Sequence, residues 1–438
     1  MKAICRNAII ATLLALLSWD VAAAPSISSV NKTDAPRSGR VAIEGTGFGT
    51  SGTVLIAGLE AWTSTWTDTR VVAYVPEAAL LGVASLRVVS GGEQSNAATL
   101  LVSARQSDGR IRWSFEADSD NLWWRPALAP DGTIYIHTNN AGDGLVYALS
   151  PDGALLWIQK VNSYPYVPPT AGPDGAVYVG SIGTIYRIGP DGAIDWQFTE
   201  PGYNAIVNSP TIGPDGRLYG VFEVGLGAFA LDPLTGQLQW SNNGEPRISD
   251  KGGDAVEVRF GPSGPGQPID QLYVSVDGGA SFYAFSLDGE QLFTNSFGNI
   301  SGTAEVAIGS DGTIFGPTAI GLAVKAVDPS DGSTLWQYYP GANDWATGTN
   351  NVEIGPDDTL YFVGSTAKLE AFDPSSQARL WQEFTYLDSL GRPSATPDGS
   401  TLVTAGADHD FYGNPGFIKA FSSRNGNDRY ADAHLPKL

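Results

Sequence analysis

The chain has 438 residues, and its 46 acidic and 25 basic side chains leave a net charge of −21. That balance repels nucleic acid and anionic membrane surfaces, so neither is an expected partner. The single cysteine, Cys5, excludes a disulfide framework, a thiolate nucleophile, an iron–sulfur cluster, a thiol zinc site and covalent c-type haem from everything downstream of it.

The first 24 residues read as a signal peptide. Lys2 and Arg6 precede the apolar run Ile9 to Leu17, and Val21-Ala22-Ala23-Ala24 supplies the small residues that a signal peptidase needs. Cleavage is expected after Ala23 or Ala24, which leaves 23 basic and 45 acidic side chains and a charge of −22. No later segment approaches the roughly 20 apolar residues of a membrane helix. The chain is therefore expected to be exported, to the periplasm or outside the cell, without a transmembrane segment.

Residues 25–103 alternate short apolar runs with turns: Val41-Ala42-Ile43, Thr53-Val54-Leu55-Ile56, Val71 to Val75 and Ser85 to Val89. This is the pattern of a small immunoglobulin-like β-sandwich. Pro25-Ser26-Ile27, the Ile43-Glu44-Gly45-Thr46-Gly47-Phe48-Gly49 turn, Val75-Pro76 and Ser95-Asn96 make the segment resemble an IPT/TIG domain. That resemblance implies a structural or interaction module. No helical pattern follows the glycine-rich turn, so it does not read as a nucleotide-binding loop.

Residues 104–430 repeat. Each unit ends on an aromatic, at Trp113, Trp157, Trp196, Trp240, Phe293, Trp336 and Trp381, with intervals of 44, 39, 44, 53, 43 and 45 residues. A glycine usually stands four residues before the aromatic. A Pro-Asp-Gly-like turn lies inside each unit, starting at Pro130, Pro173, Pro214, Pro262, Ser310, Pro356 and Pro397. A period near 43 holds four short strands, the size of one propeller blade. The run Ala230-Leu231-Asp232 through Gly236 to Trp240 resembles the PQQ-type propeller repeat, and Ala326-Val327-Asp328 through Trp336 nearly so.

The expected fold is all-β: an N-terminal immunoglobulin-like sandwich, then a seven-bladed propeller of four-stranded blades. The strand Arg110-Ile111-Arg112-Trp113 has no blade of its own and is expected to complete the last one. If both terminal strands are used separately, the number becomes eight. Residues 431–438 read as a C-terminal tail.

Chemistry is harder to find, and no catalytic residue is assigned. His137, His409 and His434 lie far apart, and there is no Gly-x-Ser-x-Gly elbow and no P-loop. The clusters Asp118-Ser119-Asp120 and Asp408-His409-Asp410 follow no EF-hand pattern and read as turns, so no metal residue is assigned either. Aligning the repeats on their turns gives one column of Arg125, Pro168, Ser209, Glu257, Glu305, Asn351 and Arg392. Two residues on, it reads Ala127, Thr170, Thr211, Arg259, Ala307, Glu353 and Ser394. The adjoining column, Leu128 to Ala395, is apolar and is expected to be blade core. The candidate ligand-binding residues are Arg125, Glu257, Arg259, Glu305, Asn351, Glu353 and Arg392 on one channel mouth. Trp123, Trp124 and Trp345 join them from loops that also carry Tyr338. Two readings of these charges stay open: they pair with one another around water, or they hold a polar ligand.

Three functions fit. The first is a noncatalytic binding or scaffold protein at the cell envelope or outside the cell, with a protein or glycan partner. The second, implied by the repeat's resemblance, is a quinoprotein dehydrogenase using PQQ and calcium. The adjacent cysteines that such enzymes carry near the cofactor are missing. The third is a carbohydrate-binding or carbohydrate-cleaving propeller, for which Glu257, Glu305 and Glu353 are available carboxylates.

Overall fold

The computed structural model describes residues 24–105, 113–118, 126–140, 143–162, 168–181, 183–199, 210–221, 227–242, 258–275, 281–297, 306–318, 324–338, 352–364, 368–384, 387–390, 394–395, 400–408, 416–423 and 433–434. These residues form strands and turns and contain no helix. The chain divides into two compact units, residues 1–118 with 152–155 and residues 119–151 with 156–438.

In the first unit the hydrogen-bonded order is Ser26–Val30, Arg40–Thr46, Arg70–Tyr74, Leu59–Trp66, Thr53–Ile56, Gly82–Ser90, Ala98–Ser103 and Asp34–Pro36. Alternation sends one face of each strand inward. Val41, Ile43, Val54, Ile56, Val71, Ala73, Leu86, Val88, Leu100 and Val102 make a closed core. The glycine-rich turn is part of it. Phe48 is fully buried, and its ring tip would lie 2.4 Å from a Cβ on Gly45. Trp66 Nε1 donates to the Phe48 carbonyl at 2.9 Å. Gly45 therefore serves packing.

The unit continues past residue 103 because residues 113–118 are fastened to it. Phe115 stacks on Tyr74 with ring centroids 5.5 Å apart. Asp118 accepts from Ser64 Oγ and Thr65 Oγ1, each at 2.6 Å, and from Arg40 Nη2 at 2.6 Å. Glu116 pairs with Lys32 and Arg40.

The second unit contains seven successive sheets among its described residues. Blade 1 is Ala127–Leu128, Ile134–Asn140, Asp143–Leu149 and Leu155–Asn162. Blade 2 is Thr170–Ala171, Val177–Ser181, Thr184–Ile188 and Ile194–Thr199. Blade 3 is Thr211–Ile212, Leu218–Val221, Ala228–Leu231 and Leu238–Ser241. Blade 4 is Val258–Pro262, Ile269–Ser275, Ser281–Ser286 and Gln291–Ser296. Blade 5 is Ala307–Ile308, Ile314–Pro317, Val324–Val327 and Thr334–Tyr338. Blade 6 is Val352–Ile354, Leu360–Gly364, Lys368–Asp373 and Ala378–Phe384. In blade 7, Leu387–Leu390 and Ser394–Ala395 both pair with Thr401–Asp408, followed by Gly416–Ser422 and Ala433–His434. Neighbouring strands within a blade pair antiparallel, and the inner strands of blades 1 and 2, 4 and 5, 5 and 6, and 6 and 7 touch.

The repeat's residues now have physical roles. In blades 2 to 6 the outer strand carries a bulge immediately before its aromatic. Trp240, for example, sits opposite Ala230 while Leu238 sits opposite Leu231. The bulge turns the aromatic toward the next blade. The small residue opposite leaves it room: Ala230, Ala284, Ala326 and Ala371 face Trp240, Phe293, Trp336 and Trp381.

The aromatic then lies over the next blade's turn. A Cβ on Gly236 would stand 2.7 Å from the Trp196 ring, and Gly236 has φ of +69°. Trp196 Nε1 donates to the Pro233 carbonyl of that turn at 3.0 Å. Trp157 does the same to Pro190, Trp240 to Leu287 and Trp381 to Ser423. Gly236→Ala should cost about 2–4 kcal/mol, from the left-handed backbone and the overlap with the indole. Urea denaturation measures this. A cost below about 1 kcal/mol would show that the turn shifts freely.

Three details differ from the sequence reading. Blade 7 ends on Ala433–His434, which pairs with Phe417 and Ile418, so the tail supplies its outermost strand. Trp113 is not in a strand. Within the first unit it overlies Gly153, and the following residues are committed to the contacts described above. Blade 4 lacks the tight Asp-Gly turn: Pro262 pairs with Ile269 across the loop 263–268, which contributes to the long interval ending at Phe293.

Candidate functional site

Of the candidate residues, Arg259 and Glu353 lie among the described residues. Arg125, Glu257, Glu305, Asn351, Arg392, Trp123, Trp124 and Trp345 lie outside them. Arg259 is half-buried on the inner strand of blade 4, opposite Tyr273. Glu353 is half-buried on the inner strand of blade 6, opposite Tyr361. They hold equivalent positions on blades separated by blade 5, which has Ala307 opposite Phe315.

Residues directly opposite in an antiparallel pair share a face. The column of Arg259 and Glu353 therefore shares a face with Tyr135, Tyr178, Tyr219, Tyr273, Phe315 and Tyr361. Arg259 and Glu353 thus stand on the strand face that these aromatics share. The alternate column is not uniformly core. Phe260 packs edge-on to Tyr219 at 5.2 Å, yet Leu128 is 68% exposed. The inner strand is two residues long in blade 1, and neighbours cover only part of a side chain there. Tyr338 also departs from its loop assignment. It ends the outer strand of blade 5, with its ring 4.3 Å from Phe372.

The acidic turns are structural. Asp131 accepts from the amide of Thr133, Asp174 from Ala176, Asp311 from Thr313 and Asp357 from Thr359. Hydrogen bonds from Ser376 and Ser375 hold the Asp373 carboxyl down to about 2. Much of the negative charge is thus used to close turns. Asp118 is likewise engaged by Ser64, Thr65 and Arg40 rather than offered to a cation. Among the described residues no three His, Cys, Asp or Glu side chains gather as a metal site. Cys5 is the only cysteine, so a cofactor site of the adjacent-cysteine kind has no counterpart here.

Sequence reasoning missed the places where a repeat column is broken. Arg187 stands opposite Trp196, where four other blades place alanine. It is buried and pairs with Asp174 at 2.5 Å and with Asp195. Burial opposes its charge, but hydrogen bonds to Tyr178 and Asp174 raise its pKa overall. Lys325, also buried, donates to Asn295 Oδ1 and the Ser296 carbonyl at 2.6 and 2.8 Å, and burial lowers its pKa. Blade 6 has Asp358 and Gln377 where other turns have glycine, with φ of +59° and +52°. The signal was present in the alignment: an arginine in an alanine column, and two non-glycines in glycine columns.

An immunoglobulin-like module and a seven-bladed propeller built on a Trp-to-turn ratchet define the class of protein. The family model described as outer membrane protein assembly factor BamB matches residues 96–257 and 230–398, and that of the IPT/TIG domain matches residues 25–103. The chain belongs to the BamB-like family of PQQ-type propellers and carries an N-terminal IPT/TIG domain. No curated protein matches it by sequence. Among solved structures, BamB from Moraxella catarrhalis is 17% identical, covering 78% of this chain and 86% of that one, with a TM-score of 0.48. The Dos1 propeller is 12% identical, covering 71% and 84%, with a TM-score of 0.52. The C-terminal WD40 domain of Sif2 is 11% identical, covering 72% and 86%, also at 0.52. The last two are likenesses of fold.

Proposed function

We propose that the chain is a noncatalytic binding or scaffold protein of the cell envelope, exported and acting in the assembly of outer-membrane proteins. The observation that carries this reading is the BamB family match across residues 96–398. The architecture supports it. Seven ratcheted blades make a rigid support, and rigid supports position binding loops. The sequence ahead of the inner strands carries Trp123, Trp124 and Trp345, aromatics of the kind that anchor protein interfaces. The net charge of −21 favours a partner with a basic surface. Arg259 and Glu353, half-buried at equivalent positions of the inner strands of blades 4 and 6, would add polar contacts.

A photo-cross-linking residue at position 345, in full-length protein expressed in an outer-membrane bacterium, tests this. The expected result is an adduct with an outer-membrane assembly protein, lost in Trp123→Ala/Trp124→Ala with thermal unfolding unchanged. Adducts with cytoplasmic proteins alone would overturn it. Uptake of PQQ with calcium-dependent dye reduction would replace it with the quinoprotein reading.

A further inference from the structure

The ratchet between blades 5 and 6 is left open, and the opening is a cavity of about 260 Å³ lined by Asp311, Phe315, Leu335, Trp336, Asp358 and Ser375, among others. After blades 1 to 3 two donors close the equivalent place, and after blades 4 and 6 at least one does. One is the indole N–H, which reaches the next blade's turn from Trp157, Trp196, Trp240 and Trp381. At Phe293, which has no N–H, Asn295 Nδ2 donates instead to the Gly332 carbonyl. The other donor is a tyrosine hydroxyl: Tyr135 donates to the Gly175 carbonyl, Tyr178 to Pro233 and Tyr219 to Leu287.

Between blades 5 and 6 both donors are gone. Phe315 stands in the tyrosine column and has no hydroxyl. Trp336 packs against Phe315 and Phe372 at 5.8 and 5.5 Å, but its Nε1–H has no hydrogen-bond partner among the described residues. The backbone around the gap is also unusual. Asp358 and Gln377 are two of only four non-glycine residues with positive φ among the described residues, and both belong to the blade 6 turns that border the cavity. Such conformations cost on the order of 1–3 kcal/mol each and concentrate at functional sites. Asp358 is held in place by donations from Ser310 N and Ser310 Oγ.

We propose that this inter-blade cavity binds a small neutral polyhydroxylated ring, a sugar of monosaccharide size. The chemistry of the lining selects that class. Trp336 Nε1–H needs an acceptor, which an ammonium ion lacks. Asp311, whose Oδ1 takes the Thr313 amide, offers its second oxygen to a donor and repels anions. A hydroxyl satisfies both requirements and replaces the tyrosine hydroxyl that closes the sockets after blades 1 to 3. The apolar wall of Phe315, Leu335 and Trp336 suits the C–H face of a pyranose. The volume lies just under the roughly 300–1,000 Å³ of pockets for drug-sized ligands.

The test is saturation-transfer NMR and calorimetry on the full chain with glucose, galactose and N-acetylglucosamine as probes. At least one sugar should bind with a dissociation constant in the millimolar range or tighter. Trp336→Phe and Asp311→Asn should each weaken it at least tenfold, and Phe315→Tyr should abolish it by refilling the socket while raising thermal stability. Failure of all three sugars up to tens of millimolar would overturn the proposal and leave a water-filled gap. So would binding that Trp336→Phe and Phe315→Tyr leave unchanged.

Discussion

Replacing Trp240 with alanine is expected to lower the stability of the propeller by about 3–5 kcal/mol. The indole belongs to the core shared by blades 3 and 4, beside Tyr219, Phe260 and Phe285. It covers Gly289 so closely that a Cβ there would lie 2.6 Å from the ring. Its Nε1 also donates to the Leu287 carbonyl at 2.8 Å. Truncation removes the ring and leaves a void that the bulged strand cannot close. Trp240→Phe separates the parts: it keeps most of the ring and should lose about 1 kcal/mol for the hydrogen bond. Phe293, which does this task naturally, shows that a phenyl ring fits the design. Chemical denaturation of the three proteins checks the order, wild type above Trp240→Phe above Trp240→Ala. A Trp240→Ala cost near that of Trp240→Phe would mean that the ring itself contributes little between blades.

Arg40→Ala is expected to destabilise the first unit by about 3 kcal/mol, because it removes the cation paired with a buried carboxylate. The Asp118 and Arg40 side chains are 7% and 17% exposed. Burial opposes the Asp118 charge, but hydrogen bonds from Ser64, Thr65 and Arg40, with the Arg40 charge, hold its pKa below the ordinary carboxylate range. A carboxylate whose folded pKa is depressed adds stability above its unfolded value near 4, and that stability is lost as pH falls through the folded value. The gap between wild type and Arg40→Ala should therefore be full at pH 7 and should narrow below about pH 4. Thermal unfolding across pH, with limited proteolysis after residue 105, reads it. A gap independent of pH would show that packing of the Arg40 stem, and not the ion pair, is what was lost. The variant Arg40→Ala/Asp118→Ala should recover part of the loss, since no charge is then stranded.

The fold was legible because each repeat residue performs a local task. Gly236 is needed where the indole of Trp196 comes closest, Asp311 closes its own turn, and Ala230 makes room opposite Trp240. Repetition of those tasks gives a period that can be counted. The closure was not legible. Arg110 to Trp113 has the composition of an outer strand, and the polar tail does not. Residues 113–118 nevertheless serve the first unit, and Ala433–His434 completes blade 7. Strand pairing at a chain end depends on which surface each segment finds, and composition does not carry that information.

The candidate site was legible only as columns. Counting from the turns gave Arg259 and Glu353 their equivalent places, and the pairing opposite Tyr273 and Tyr361 agrees. Which face they present was not legible, because alternation separates core from solvent only where one side of a sheet is free. In a propeller both sides are covered. By itself, then, the sequence determined the class of each domain, the number of repeats and the task of the recurring aromatics. Those properties follow from short-range geometry and periodic burial. Only the tertiary structure decided which socket is open. That depends on Phe315, Trp336 and Asp358 meeting from two blades, and a missing hydroxyl becomes visible only where its partner stands without it.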